Sequence, residues 1–257
     1  CKEVENFLKF SEKFQNETDP DILGLLYSCF SNLNRNLVDK SYLQLVVNKI
    51  YNETFQRLDN KTKRSIREVQ ALAVCFRAMA IIIENPIIIT KSKNILDQYL
   101  NNNSSYEPDI ISSVISINAY HGDSKLFEKY VDNMINAKTP QDEVRFQRSL
   151  SLFKGDNEIE KLFNLILSDK IRSQDSPYIL ASTLNNESVG WKTWNFIEAN
   201  WDKLTSKFPE NSIVRMLSGI RALNKRKYFN HLNSFFSDGD KIKQGKLQLD
   251  QHLEKLE

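Results

Sequence analysis

The chain has 257 residues, of which 40% are hydrophobic and 26% charged, with a formal net charge of +2. That balance disfavours disorder and leaves room for one large core, a solenoid or two domains. Lys and Arg are dispersed rather than gathered in a run, which argues against nucleic acid as a partner, and no run of about 18 apolar residues offers a membrane span.

Only 7 Gly and 6 Pro are present, mostly where helices should start or stop. Val4, Phe7, Leu8 and Phe14 recur at helical spacing. Thr18-Asp19-Pro20 reads as a cap followed by Pro in the first turn, opening a helix through Leu37. A third helix is expected from Lys40 to Leu58. A fourth, from Ser65 to Glu84, is apolar on most faces in its second half and should therefore be central. Asn85-Pro86 ends it, and a short helix follows Thr90 and runs to Leu100.

From Glu107-Pro108 the punctuation becomes regular. One helix should end at His121-Gly122, Asp123 should cap the next, and Thr139-Pro140 should open another that ends at Lys154-Gly155. Asp156 and then Ser173 or Asp175 are expected to cap the two after that, the second with Pro177 in its first turn. Starts spaced by roughly 16–17 residues imply a helix pair about every 33–34, the range of helical-repeat solenoids. Further helices are expected over Val189–Phe208, Ser212–Leu223, Tyr228–Phe236 and Asp240–Leu256. No stretch alternates with period two, so the fold class is all-α, an irregular stack of antiparallel helix pairs of HEAT or armadillo kind.

Little in the chain points to catalysis. The three histidines, His121, His231 and His252, stand apart, and none has a second His one turn away to make a local zinc pair. His121 beside Gly122 suits a helix C-terminus. There is no Gly-rich phosphate loop and no Gly-x-Ser-x-Gly elbow. The pairs Asp19/Asp21, Glu158/Glu160 and Asp238/Asp240 fall at helix starts, where carboxylates cap and complement the dipole. Cys1, Cys29 and Cys75 lack metal spacing, and the latter two read as small buried hydrophobes. Lys225-Arg226-Lys227 reads as the solvated end of a helix. Sequons stand at Asn16, Asn52, Asn60, Asn102, Asn103 and Asn186, against roughly three expected by chance from an Asn- and Ser-rich chain, an excess too small to place the protein in the secretory route; the compartment stays open, with the cytoplasm slightly favoured.

Two features invite a binding reading. Arg145 and Arg148 are three apart and share a helix face from which both could reach a carboxylate, although a surface ion pair with Asp142 or with a neighbouring helix is the simpler account. Trp191, Trp194 and Trp201 fall at spacings of three and seven, so a single helix would carry all three on one face, most simply as core.

The stretch from Lys170 to Leu204 contains Ile171-Arg172-Ser173-Gln174-Asp175 and then Gly190, Trp194, Phe196, Asn200-Trp201 and Leu204. Together with Phe235-Phe236 and a last helix ending Leu253-Glu254, this resembles the C-terminal helical domain of the zinc aminopeptidases that include aminopeptidase N, the endoplasmic reticulum aminopeptidases and the tricorn-interacting aminopeptidases. Glu12 to Leu37 looks like that domain's first helical hairpin. The resemblance implies a single domain over residues 1–257, a bowl of HEAT-like helix pairs that packs on a catalytic domain of the same polypeptide and forms much of the wall of a peptide-admitting chamber. It implies no catalytic residue and no cofactor in this chain. Zinc would be held upstream by a His-Glu-x-x-His motif, with a Gly-Ala-Met-Glu-Asn motif for the substrate amino terminus, and neither motif stands here. Arg145, Arg148, Lys154 and Arg172 become candidates to face the peptide. Gln174, Asp175, Trp194, Asn200 and Trp201 become the structural motif. Without an initial Met, the chain reads as a fragment of a longer protein. A free-standing helical-repeat scaffold that binds other proteins is the alternative.

Overall fold

The computed structural model describes residues 2–101, 105–237, 241–242 and 244–256. Among them every regular element is helical, and the chain is all-α. The sequons at Asn102 and Asn103, Cys1 and the Asp238/Asp240 pair lie outside the described residues. No helix among the described residues is long and apolar enough to cross a membrane. Backbone contacts divide the chain into two compact units, Cys1–His121 and Gly122–Glu257.

The first unit contains α1 (Lys2–Ser11), α2 (Pro20–Asn36), α3 (Ser41–Asp59), α4 (Ile66–Arg77), α5 (Pro86–Leu100) and α6 (Pro108–Tyr120). Its core is α4, which packs on α2, α3 and α6. Ser65 and Glu68 close a reciprocal capping box at its start, and everything from Ala71 to Phe76 is buried. Beyond Arg77 the helix widens into a π turn over Ala78–Ile82, with Ile83 N–H donating to Ala78 O at 3.2 Å. Glu84 then leaves at φ +56°. The Asn85 side chain accepts from Ile87 N–H and Ile88 N–H, so α5 starts at Pro86 and not after Thr90 as the sequence predicts.

Several polar groups buried in this unit are matched across helices. Tyr51 Oη donates to Leu23 O at 2.9 Å, and Arg77 Nη1 donates to Ser113 Oγ at 2.6 Å while its guanidinium lies over the Tyr27 ring. Asn118 Nδ2 reaches Ser92 Oγ and Val114 O, both at 2.8 Å. His121 caps α6, where its Nε2–H donates to Ala80 O at 2.8 Å. Asp19 caps α2 and, with Asp21, receives Arg67 from α4 at 2.6 and 3.0 Å. Cys75 is fully buried, whereas Cys29 is only half-buried, because its helix presents that flank toward solvent.

The second unit runs through α7 (Ser124–Ile135), α8 (Pro140–Ser149), α9 (Asp156–Leu167), α10 (Ser176–Leu184), α11 (Gly190–Ala199), α12 (Trp201–Lys207), α13 (Glu210–Leu217), α14 (Arg226–Phe236) and α15 (Lys246–Glu254). Short 3-10 turns extend α8 over Leu150–Leu152 and α13 over Ser218–Ala222. The starts of α6 to α9 are spaced by sixteen residues, as the punctuation predicts, and the next start comes four later. Gly155, not Asp156, occupies the cap of α9: the Glu158 side chain folds back under Gly155, where a Cβ would collide with it, and its carboxylate accepts from Ser124 Oγ. The last helix begins at Lys246 rather than Asp240, since Gly245 turns the chain at φ +80°.

Glu68 shows how tightly one cap is held. Its carboxylate accepts from Lys61 Nζ at 2.7 and 2.9 Å and from Ser65 N–H at 2.9 Å, which lowers its pKa to about 2. A folded-state pKa below the ordinary carboxylate value means stabilisation that is full above that value and lost as pH falls toward about 2. NMR titration should place the Glu68 midpoint near 2 and Lys61→Gln should raise it; an unmoved midpoint would remove Lys61 as the main cause.

Candidate functional site

The Lys170–Leu204 stretch builds the middle of the second unit. After Ile171, which is fully buried, Arg172 to Asp175 form a tight turn in which Asp175 N–H and Ser176 N–H both donate to Arg172 O. Pro177 follows in the first turn of α10, and Gln174 is exposed. Asp175 holds the cap position with no side-chain hydrogen bond, so the turn's own backbone closes this helix start.

Two glycines let other segments press against α10. A Cβ on Gly190 would lie 2.5 Å from Leu184 O, and one on Gly219 would meet Ala181 O more closely still and Leu184 Cβ at 2.7 Å. Between them they bring the start of α11 and the turn after α13 onto the C-terminal half of α10. The Asn186 side chain completes the cluster by donating to Ser151 O at 3.0 Å and Phe153 O at 2.7 Å, which fastens the end of α10 to the turn after α8. Asn186 stands out in the sequence only as a sequon, so nothing in the pattern announces this structural role.

The tryptophans do not share one helix. Asn200 adopts φ −116° and ψ 18°, and its Nδ2 donates to Phe196 O at 2.9 Å, competing with the ladder and ending α11. Trp201 therefore opens α12, and the single helix expected over Val189–Phe208 is two. The packing reading survives the break. Trp194 is fully buried and Trp201 is 6% exposed, and both meet the rings of Phe235 and Phe236 on α14 at centroid distances from 5.2 to 5.7 Å. Trp191 instead stacks on Tyr228 at 3.9 Å. Lys225 and Lys227 carry their ammonium groups over the same Tyr228 ring, at the exposed start of α14.

The four arginine and lysine candidates fall into two situations. Arg145 Nη1 pairs with Asp142 at 2.6 Å, and Arg172 Nη2 reaches both oxygens of Glu143 at 3.1 and 3.0 Å. Asp142 and Glu143 lie side by side in the first turn of α8, so the structure brings Arg145 and Arg172 together at that helix end. Arg148 and Lys154 are exposed further along, on α8 and just past its 3-10 extension.

None of the three histidines is bonded to a hydroxyl or thiol. His121 serves Ala80 O, His231 lies 2.7 Å from a Glu198 carboxylate oxygen, and His252 bonds the Val214 backbone. Among the described residues no group of three or more His, Cys, Asp or Glu is placed to hold a metal ion, so the side chains present do not fit a zinc site.

Comparison with known proteins decides the family. The family model for the ERAP1-like C-terminal domain matches residues 2–257. The chain belongs to that family. Aminopeptidase 2 of Candida albicans (strain SC5314 / ATCC MYA-2876) is 23% identical over 178 residues, 66% of this chain and 19% of that protein. Endoplasmic reticulum aminopeptidase 1 of Homo sapiens is 28% identical over 143 residues, 53% of this chain and 15% of that protein. The chain therefore spans less than a fifth of either relative's length over the matched region.

Two substitutions probe this packing. Trp201→Ala should cost about 3–5 kcal/mol, read by chemical unfolding, because it empties the space between α12 and Phe235-Phe236. An unchanged midpoint would refute its place in the core. Gly219→Ala should cost about 1–3 kcal/mol, since the added methyl meets a backbone carbonyl that cannot swing aside. Gly24→Ala is the control of opposite sign: a Cβ there would have no neighbouring atom within 4 Å, so in the interior of α2 it should stabilise by about 0.5–1 kcal/mol.

Proposed function

We propose that the chain is the non-catalytic C-terminal domain of a zinc metalloaminopeptidase, one domain over residues 1–257 that packs on the catalytic domain and walls the chamber receiving peptides. The observation that carries this reading is the family match over residues 2–257, with relatives named as aminopeptidases that extend well beyond the matched part. The zinc and the bond-breaking residues would belong to that remaining part. This chain's own contribution would be to hold and exclude.

The exposed guanidinium of Arg148 and ammonium of Lys154 would attract a peptide's carboxylates, and Arg145 and Arg172, already neutralised in part by Asp142 and Glu143, would border that surface. The complete polypeptide should release amino-terminal residues from peptides, lose that activity to a chelator and regain it with zinc. An inactive complete polypeptide with zinc restored would refute the reading.

The role of the α8 surface has its own test. In the complete enzyme, Arg145→Ala combined with Arg148→Ala should raise KM for peptides several-fold more than for single-amino-acid amides, with kcat on the amides unchanged. Equal effects on both substrate types would remove these arginines from the peptide surface.

A further inference from the structure

A groove separate from the α8 surface lies between α10, the end of α13 with its 3-10 turn, and α15. It encloses about 490 Å³, in the range of ligand pockets. Its lining includes Tyr178, Arg215, Arg221, His252 and Lys255, and among the described residues no Asp or Glu lines it. Two glycine contacts shape it. Gly219 sets the 3-10 turn against α10, and Gly245, whose Cβ would lie 2.6 Å from Val214, lets the chain enter α15 directly beside α13.

Among the described residues no carboxylate matches the charges in this groove. Arg215 donates to Tyr178 Oη, and Arg221 Nε donates to Ser218 O at 3.1 Å, both neutral partners. Among the described residues neither arginine, nor His252 nor Lys255, takes part in an ion pair, although elsewhere Lys and Arg regularly do. Burial lowers the pKa of His252, and Arg221 and Lys255 lower it further, a sign that these cationic groups converge. Like charges held together over a concave surface repel one another until an anion neutralises them.

We propose that this groove is a binding site for an oxyanion, the carboxylate or phosphate group of a ligand, held by Arg215, Arg221 and Lys255 with His252 at its edge. The arginines offer planar paired donors, Lys255 adds a mobile charge, and the Tyr178 hydroxyl supports the Arg215 guanidinium.

Calorimetric titration of the 257-residue chain at low salt tests this with two probes, inorganic pyrophosphate and triglutamate. Binding of at least one is expected, and which one binds separates a phosphate source from a carboxylate source. Arg221→Gln combined with Lys255→Gln should weaken that binding at least tenfold. Arg226→Gln combined with Lys227→Gln removes the same charge from the exposed start of α14 and should leave binding within twofold. Failure of both probes to bind the parent would overturn the proposal, and so would equal losses in the two double variants. Both double variants alter exposed side chains, and unchanged circular dichroism would establish that each is folded.

Discussion

The carbonyl oxygens of Ala181 and Leu184 sit where neighbouring segments approach α10 too closely for any side chain but glycine's hydrogen. Much of the second unit depends on those two approaches. They fix the start of α11, hence the positions of Trp191 and Trp194, and they fix the turn after α13, hence the wall that carries Arg221. The interior of a protein is dense enough that a displacement of one methyl's width is not absorbed locally. A shift at either glycine would be passed to the aromatic cluster on one side and to the basic groove on the other.

The first unit is organised differently. There the central helix is apolar nearly all round, and order comes from polar groups that find partners along it: Ser113 with Ala73, Arg77 with Ser113, and His121 with Ala80 in the turn that continues it. A helix buried on every side has little to fix its rotation about its own axis, because apolar contacts are non-directional. Hydrogen bonds at set heights along α4 supply that direction. The π turn over Ala78–Ile82 belongs to the same arrangement, since it realigns the helix end so that the Ala80 carbonyl is free for His121.

The amino-acid sequence made the helical class and most helix starts legible, because Pro after a capping side chain is a local signal: Asp19-Pro20 and Thr139-Pro140 act alone. It was silent where a boundary depends on tertiary partners. Asn200 ends α11 through a side-chain bond that any surface Asn could make, and periodicity runs straight through it. Gly155 caps α9 only because Glu158 folds beneath it. The Arg145–Asp142 pair was readable from spacing within one helix, whereas Arg172–Glu143 joins residues far apart in the chain and has no local signature. The basic groove was invisible for the same reason: Tyr178, Arg215, Arg221 and Lys255 come from different helices and are scattered singly in the sequence.

The placement of the aromatic residues also divides the chain optically. All three tryptophans, Trp191, Trp194 and Trp201, lie in the second unit, and the first 121 residues contain none. Indole emission excited at the red edge of the absorption band therefore comes from residues 122–257 alone, while the first unit contributes only tyrosine and phenylalanine. Unfolding followed by indole emission and by far-ultraviolet circular dichroism would coincide only if the two units lose structure together, so the native chain carries its own label for whether they behave as one cooperative body.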